Sequence, residues 1–339
     1  MNFLDLLDSV GHAMAIIAED KKIEVHFDIA DDVPHNINSD PQRLYQLLMC
    51  LMTNAVKFTV SGNVILKCSL MTTLENAYEL SFQVIDSGIG ISEEKQKNIF
   101  EFFSQVEMEA NRNFGGLGLG LTISKHIVEL MSGSINCQSE MGKGTTFTFN
   151  VFVGKDTSDT EPQDDIQDIP SLNVLVVDDN DISLAVISKL MTQLGWRVTT
   201  ANSADSALDI LQSAVSSNKN YDLTLIDWNM PKRSGLDLVK DIRAQFATSE
   251  LPILVMVTAY TRKMLSQLDN RDVENLLSAF LTKPVTKNML LDLAVGVFGS
   301  QKGVITKRKS SSLKLAELNI LLIEDNPTNQ FIAKNLLES

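Results

Sequence analysis

Five residues of this chain could do chemistry together: Asp178, Asp179, Asp227, Thr258 and Lys283. Three carboxylates gathered in one pocket repel one another. Two unit charges about 4 Å apart cost about 4 kcal/mol at an effective dielectric near 20. A divalent cation removes that cost, and ligands that are all oxygen favour Mg²⁺. Lys283 adds a second positive charge, facing whatever anion joins the metal. A carboxylate nucleophile, a hard cation and a lysine together suit phosphoryl transfer to an aspartate. Any one of these aspartates alone reads more simply as a cap on the helix that follows it. The full set, in register with five strands, points to a pocket.

The elements that must position them are short apolar runs: "NVLVV", "WRVTTA", "DLTLID", "ILVMV" and "AFLT". Helical stretches such as 182–194 and 235–247 lie between them. Strand–helix repetition of this kind predicts a parallel sheet with helices on both faces and right-handed crossovers. Ligands of such sheets bind at the carboxyl ends of the strands. Each of the five residues lies where its strand gives way to a loop.

The motifs "VLVVDDN", "LIDWNMP", "VTAY" and "FLTKP" resemble those of response-regulator receiver domains, and the resemblance covers 172–298. It implies a (βα)5 flavodoxin-like doubly wound fold with Asp227 as phosphoacceptor. It further implies that Asp178, Asp179 and Asp227 hold Mg²⁺ with the backbone carbonyl of Asn229. Lys283 and Thr258 would contact the phosphoryl oxygens, Phe280 would be the aromatic switch, and Lys283–Pro284 would be a cis peptide.

A second set of residues lies upstream. On a helix expected over 42–58, Cys50, Asn54 and Lys57 share one face beside an apolar stripe. Ser39 and Asp40 followed by Pro41 make a helix start. "DSGIGIS" (86–92), "FGGLGLGLTISKHI" (114–127) and "GKGTTF" (142–147) follow. Gly-rich turns let a backbone approach phosphates closely, and a helix starting near Leu119 would point its amide end at an anion. Asp86 can accept a hydrogen bond from an exocyclic amine, which reads adenine over guanine. "NVILKCSL", "YELSFQVID", "GSINCQSE" and "GTTFTFNVFV" alternate as strands with one covered face.

These elements resemble, in order, the N, G1, F and G2 boxes of the histidine-kinase catalytic and ATP-binding domain, with "IFEFF" (99–103) as the F box. The resemblance covers 1–153 and implies a two-layer α/β sandwich of the GHKL (Bergerat) type. It implies Mg²⁺ on Asn54, adenine on Asp86 and near Thr145, and phosphates on Lys57 and Arg112. Gly88, Gly90, Gly116, Gly118 and Gly120 would shape the pocket, and 104–117 would be a lid over ATP. Two positions depart from the pattern: Cys50 stands where a second Asn is usual, and Leu117 where Thr or Ser is usual. Gyrase- and Hsp90-like relatives carry a water-activating Glu at the position of Cys50. A thiol serves poorly as that base, so ATP is expected to be held for transfer rather than hydrolysed.

The rest of the chain bounds this reading. It has 339 residues, enough for two or three domains, and a formal charge of -14. That balance argues against a general nucleic-acid or membrane-surface binder. Cys50, Cys68 and Cys137 are too few and too widely spaced for a zinc site and read as reduced thiols. No apolar run is long enough to span a bilayer, so the expected location is cytoplasmic, with any inner-membrane anchor supplied by an N-terminal region outside this sequence. Residues 154–171 read as an acidic linker and 299–317 as a basic, Ser-rich one. Residues 318–337 align without gaps to 172–191, "ILLIEDN" against "VLVVDDN", and 318–339 read as the truncated start of a second receiver domain.

His12, His26, His35 and His126 lack the context of a phosphorylated histidine and read as structural or surface residues. The chain is therefore expected to be the C-terminal part of a hybrid sensor histidine kinase, cut at both ends. It would bind Mg-ATP, phosphorylate a histidine on a dimerisation domain outside this sequence, and accept the group on Asp227. A downstream histidine phosphotransfer or response-regulator protein and a homodimeric parent are the expected partners. A second reading stands beside it, in which the first domain is a degenerate nucleotide-binding scaffold and the receiver a phosphate sink.

Overall fold

Residues 1–18, 21–101, 119–156, 171–217, 219–246, 251–258 and 277–298 are described by a computed structural model of the chain. Two sheets organise them, and both lie in one compact unit, Met1–Lys302.

The first sheet takes its strands from the alternating segments. They are β1 (Lys22–Ile29), β2 (Ile37–Asn38), β3 (Ser61–Thr73), β4 (Ala77–Asp86), β5 (Ser134–Glu140) and β6 (Gly144–Lys155). The order is β1-β3-β4-β6-β2, with β5 also paired to β6. Only β1 runs parallel to its neighbour; the other pairs are antiparallel. Alternation puts Val64, Leu66 and Cys68 of β3 and Leu80, Phe82 and Val84 of β4 on the covered face.

Helices α1 (Phe3–Ala18), α2 (Pro41–Phe58) and α4 (Gly120–Leu130) pack there, with the single turn α3 (Glu93–Gln96) near β5. Leu44, Leu47, Leu48, Leu51 and Ala55 form the buried stripe of α2, the spacing expected from the sequence. Phe82 stacks on Phe149 at 4.8 Å, with Phe3 edge-on. The helix begins where Asp40 and Pro41 predict. Asp40 Oδ1 accepts from the amides of Gln42 and Arg43, and Pro41 occupies the first turn.

The second sheet is all parallel: β7 (Asn173–Val177), β8 (Arg197–Ala201), β9 (Leu223–Asp227), β10 (Ile253–Thr258) and β11 (Ala279–Thr282), in the order β11-β10-β9-β7-β8. This is the doubly wound topology, and both faces are covered. Val174, Val176, Leu225 and Val257 pack under α5 (Asp181–Gln193) and α8 (Lys287–Phe298). Leu175, Val177, Ile226 and Met256 pack under α6 (Ala204–Ser216) and α7 (Gly235–Gln245). The strands therefore read as continuous apolar runs rather than alternating ones. Lys283–Pro284 is a cis peptide, as the resemblance implies.

The two halves meet along α1, β1 and α5. The Lys189 ammonium pairs with the Asp28 carboxylate. Gln193 Nε2 donates to the Ile29 carbonyl at 3.1 Å, Asn288 Nδ2 donates to Asp8 Oδ2, and the Pro284 ring lies against Gly11. Residues 303–339, which include the expected second receiver start, lie outside the described residues, as does most of the acidic linker.

Candidate functional site

The carboxyl ends of β7, β9 and β10 and the loop after β11 converge. Asp178 and Lys283 are 1% and 4% exposed, and Asp227 is buried beside them. Lys283 Nζ lies 2.8 Å from Asp178 Oδ2, 2.8 Å from Asp227 Oδ1 and 3.2 Å from Glu24 Oε1. Burial by itself would lower the Lys283 pKa; Asp227, Asp178 and Glu24 outweigh it and raise it, so the ammonium is held charged. Burial, with Asp178 adding repulsion, lifts Asp227 to about 6 against the pull of Lys283.

Local bonds orient these acids. Asp178 Oδ1 accepts from the Asn180 amide at 2.9 Å, and Oδ2 accepts from Ser183 Oγ at 2.6 Å. Asp227 Oδ2 accepts from the Asn229 amide at 2.9 Å. The Lys283 amide donates to the Thr258 carbonyl at 2.9 Å, which ties the lysine loop to the end of β10. The Thr258 side chain is buried there. Asp179 is exposed at the rim, where partial burial and the Asp178 charge raise its pKa. Phe280 points outward from β11 and is 37% exposed.

The first sheet carries a second cleft. Asp86 closes β4, and its Oδ1 accepts from the amides of Gly88 at 2.8 Å and Thr145 at 3.2 Å. Both bonds fall on one oxygen. Burial raises the Asp86 pKa, opposed by these two amides. Gly90 has φ +74°, and a Cβ there would lie 2.1 Å from the Glu140 carbonyl, so the turn after Asp86 requires glycine. Asn54 and Cys50 face each other on α2, with Asn54 Nδ2 4.0 Å from Cys50 Sγ. The first turn of α4 sits on that thiol, because a Cβ on Gly120 would come within 2.9 Å of Sγ. Lys57 Nζ lies 5.2 Å from the ring centroid of Phe58. Arg112, Gly116, Leu117, Gly118 and the expected lid lie outside the described residues.

Two family profiles match in succession. Residues 39–155 match the histidine kinase-, DNA gyrase B- and HSP90-like ATPase, and residues 174–294 match the response regulator receiver domain. This is the domain order of a hybrid sensor kinase. The aerobic respiration control sensor protein ArcB of Escherichia coli K12 is 30% identical over 95% of this chain and 40% of its own length. The sensory/regulatory protein RpfC of Xanthomonas campestris pv. campestris is 28% identical over 89% of this chain and 45% of its own. The chain thus spans less than half the length of these curated relatives. The solved full-length ShkA, in complex with AMPPNP, shares the fold with a TM-score of 0.64 at 24% identity, over 100% of this chain and 64% of that one.

Within this architecture the receiver pocket unites Asp178, Asp227 and Lys283, with Thr258 at the end of the neighbouring strand. The ATPase cleft joins Asp86, Gly88 and Thr145, with Asn54 and Cys50 on the helix above. Sequence reasoning passed over Glu24. Among the described residues, Glu24, Asp178 and Asp227 have ligand atoms within 4.8 Å of one another, and Glu24 comes from β1 of the first sheet. Its signal was the alternation of "IEVHF". Ile23, Val25 and Phe27 are buried in the first core, which turns Glu24, His26 and Asp28 to the opposite face of an edge strand.

His26 is 4% exposed, with Nε2 2.9 Å from Asn63 Oδ1; burial lowers its pKa. His12, His35 and His126 are exposed. The three cysteines are free. Burial raises all three thiols, Cys137 to about 12. Among the described residues, no helix is long and apolar enough to cross a membrane.

Proposed function

We propose that the chain binds Mg-ATP in its ATPase domain, passes the γ-phosphoryl group to a histidine on a separate dimerisation domain, and takes it back on Asp227. The observation that carries this reading is Lys283 Nζ within 2.8 Å of both Asp178 and Asp227 at the tips of parallel strands. That placement keeps a carboxylate beside a fixed cation, ready for an incoming phosphoryl group.

In the first transfer the bond from the γ-phosphorus to the ADP oxygen breaks and a bond to the histidine nitrogen forms. Asp86 holds the adenine amine, and Lys57 and Arg112 draw the phosphates. In the second, the phosphorus–nitrogen bond breaks and a phosphorus–oxygen bond to the Asp227 carboxylate forms. Lys283 and Thr258 then bind the phosphoryl oxygens. The oxygen-only donor sets fit a hard cation: Asn54 in the ATPase cleft, and Asp178, Asp179, Asp227 and the Asn229 carbonyl in the receiver. Mg²⁺ bound there would neutralise phosphate charge. The AMPPNP bound by ShkA supports nucleotide binding here.

The parent protein is read as a homodimer with a downstream phosphotransfer or response-regulator partner. The proposed domain limits are those drawn from the sequence, 1–153 and 172–298. Cys50, packed against α4 in place of a second Asn, favours a second reading in which nucleotide is bound but not used.

The test supplies a histidine-bearing dimerisation domain in trans with γ-labelled ATP. Label should reach the histidine and then the wild-type chain, and should stop at the histidine with Asp227→Asn. Tight ATP binding without histidine labelling would favour the scaffold instead.

A further inference from the structure

The receiver pocket is closed by the ATPase domain itself. Glu24, on the outer face of edge strand β1, projects into it. Glu24 Oε1 is 3.2 Å from Lys283 Nζ, and Asn180 Nδ2 donates to Glu24 Oε2 at 2.8 Å. The same Nδ2 donates to Asn63 Oδ1 at 2.8 Å, while Asn180 Oδ1 caps α5 through the Ile182 amide at 3.0 Å. One residue at the pocket mouth therefore ties α5 to two strands of the ATPase sheet. Lys189 with Asp28, and Gln193 with the Ile29 carbonyl, extend the contact along α5.

An ammonium has three N–H donors. Three carboxylates lie within 3.2 Å of Lys283 Nζ: Asp178, Asp227 and Glu24. Two belong to the receiver and the third does not. A phosphoryl group on Asp227 would bring a further negative charge and oxygens that need a Lys283 donor. The donor open to it is the one Glu24 holds. The incoming group would also face the Glu24 carboxylate at close range, where like charges repel.

We infer that the outer face of β1 is a docking surface for the receiver, with Glu24 standing where a phosphoryl oxygen would bind Lys283. Docking and phosphorylation of Asp227 then exclude each other. The docked chain accepts phosphate slowly, and phosphorylation expels Glu24 and frees both domains. Linkage makes the coupling reciprocal. This rests on the reading of Asp227 as phosphoacceptor, and the experiment separates the two.

The full chain is incubated with phosphoramidate and magnesium chloride. The phosphorus–nitrogen bond breaks, a phosphorus–oxygen bond forms to the Asp227 carboxylate, and ammonia leaves with the nitrogen's protons. Initial labelling rates are compared for wild type, Glu24→Ala and Lys189→Glu. Lys189 is partly exposed and lies outside the pocket, so Lys189→Glu adds negative charge while weakening only the dock. Both variants should label at least about fivefold faster, the low end of ordinary coupling between sites. Acceleration by Glu24→Ala alone would mean a local charge effect and would overturn the docking inference. Equal rates in all three chains, with label on Asp227, would overturn it too and leave the phosphoacceptor reading standing. Absence of label from Asp227 in every chain would remove that reading and the inference with it.

Discussion

Asp86 is where adenine recognition is open to a single-atom test. Asp86→Asn keeps the side chain's size but removes the charged acceptor, while the Asn oxygen can still take the Gly88 and Thr145 amides. Hydrogen bonds to charged groups are worth about 1.5–3 kcal/mol, so affinity for a non-hydrolysable ATP analogue should fall by about tenfold or more. Calorimetry measures that loss, and unchanged melting of the apo chain shows that the fold survives. At this scale the acids at the strand tips were legible as a set, because residues ending several parallel strands share one edge of the sheet. Glu24 was not. A charged residue alternating with Ile23 and Val25 reads as the solvated face of a strand, and only the packing of a second domain gives it a partner.

At the scale of elements, two helix starts make measurable claims. Asp40 accepts both first-turn amides of α2, the helix that carries Cys50, Asn54 and Lys57. Asp40→Ala should cost about 1 kcal/mol, read as a lower urea midpoint with an unchanged slope. In α7, Ser234 and Asp237 cap each other's backbone, and the Ser234 hydroxyl holds the Asp237 carboxyl below its usual pKa. A lowered folded pKa stabilises above the unfolded value of 3.8 and loses that contribution as pH falls through the folded one. Ser234→Ala should therefore lower Tm at pH near 7 more than at pH near 3. The start of α2 followed from its capping residues, and β3 to β6 and the strands of the second sheet followed from their apolar patterns. The pairings of β1 and β2 did not. A two-residue strand has no period, and nothing local in β1 says that it runs parallel to β3 rather than antiparallel.

For the whole molecule, the sequence suggested two domains joined by a solvated connector, and the structure packs them face to face through polar side chains. The side chains that bond across it carry no apolar signature. Asp28, Asn63, Asn180, Lys189 and Gln193 are the residues of any wet surface until the two sheets are brought together. A relay through this chain would use both arrangements: a docked chain whose Lys283 is occupied by Glu24, and an opened one whose Asp227 meets a phosphohistidine.

Borohydride traps the acyl phosphate proposed on the carboxylate of residue 227. The chain is charged through ATP and a histidine-bearing dimerisation domain, reduced, and mapped by peptide mass spectrometry. An aspartyl phosphate is reduced to homoserine, so homoserine at position 227 and at no other aspartate is the predicted result. Homoserine elsewhere, or an unmodified Asp227 in a preparation whose histidine is fully labelled, would contradict it.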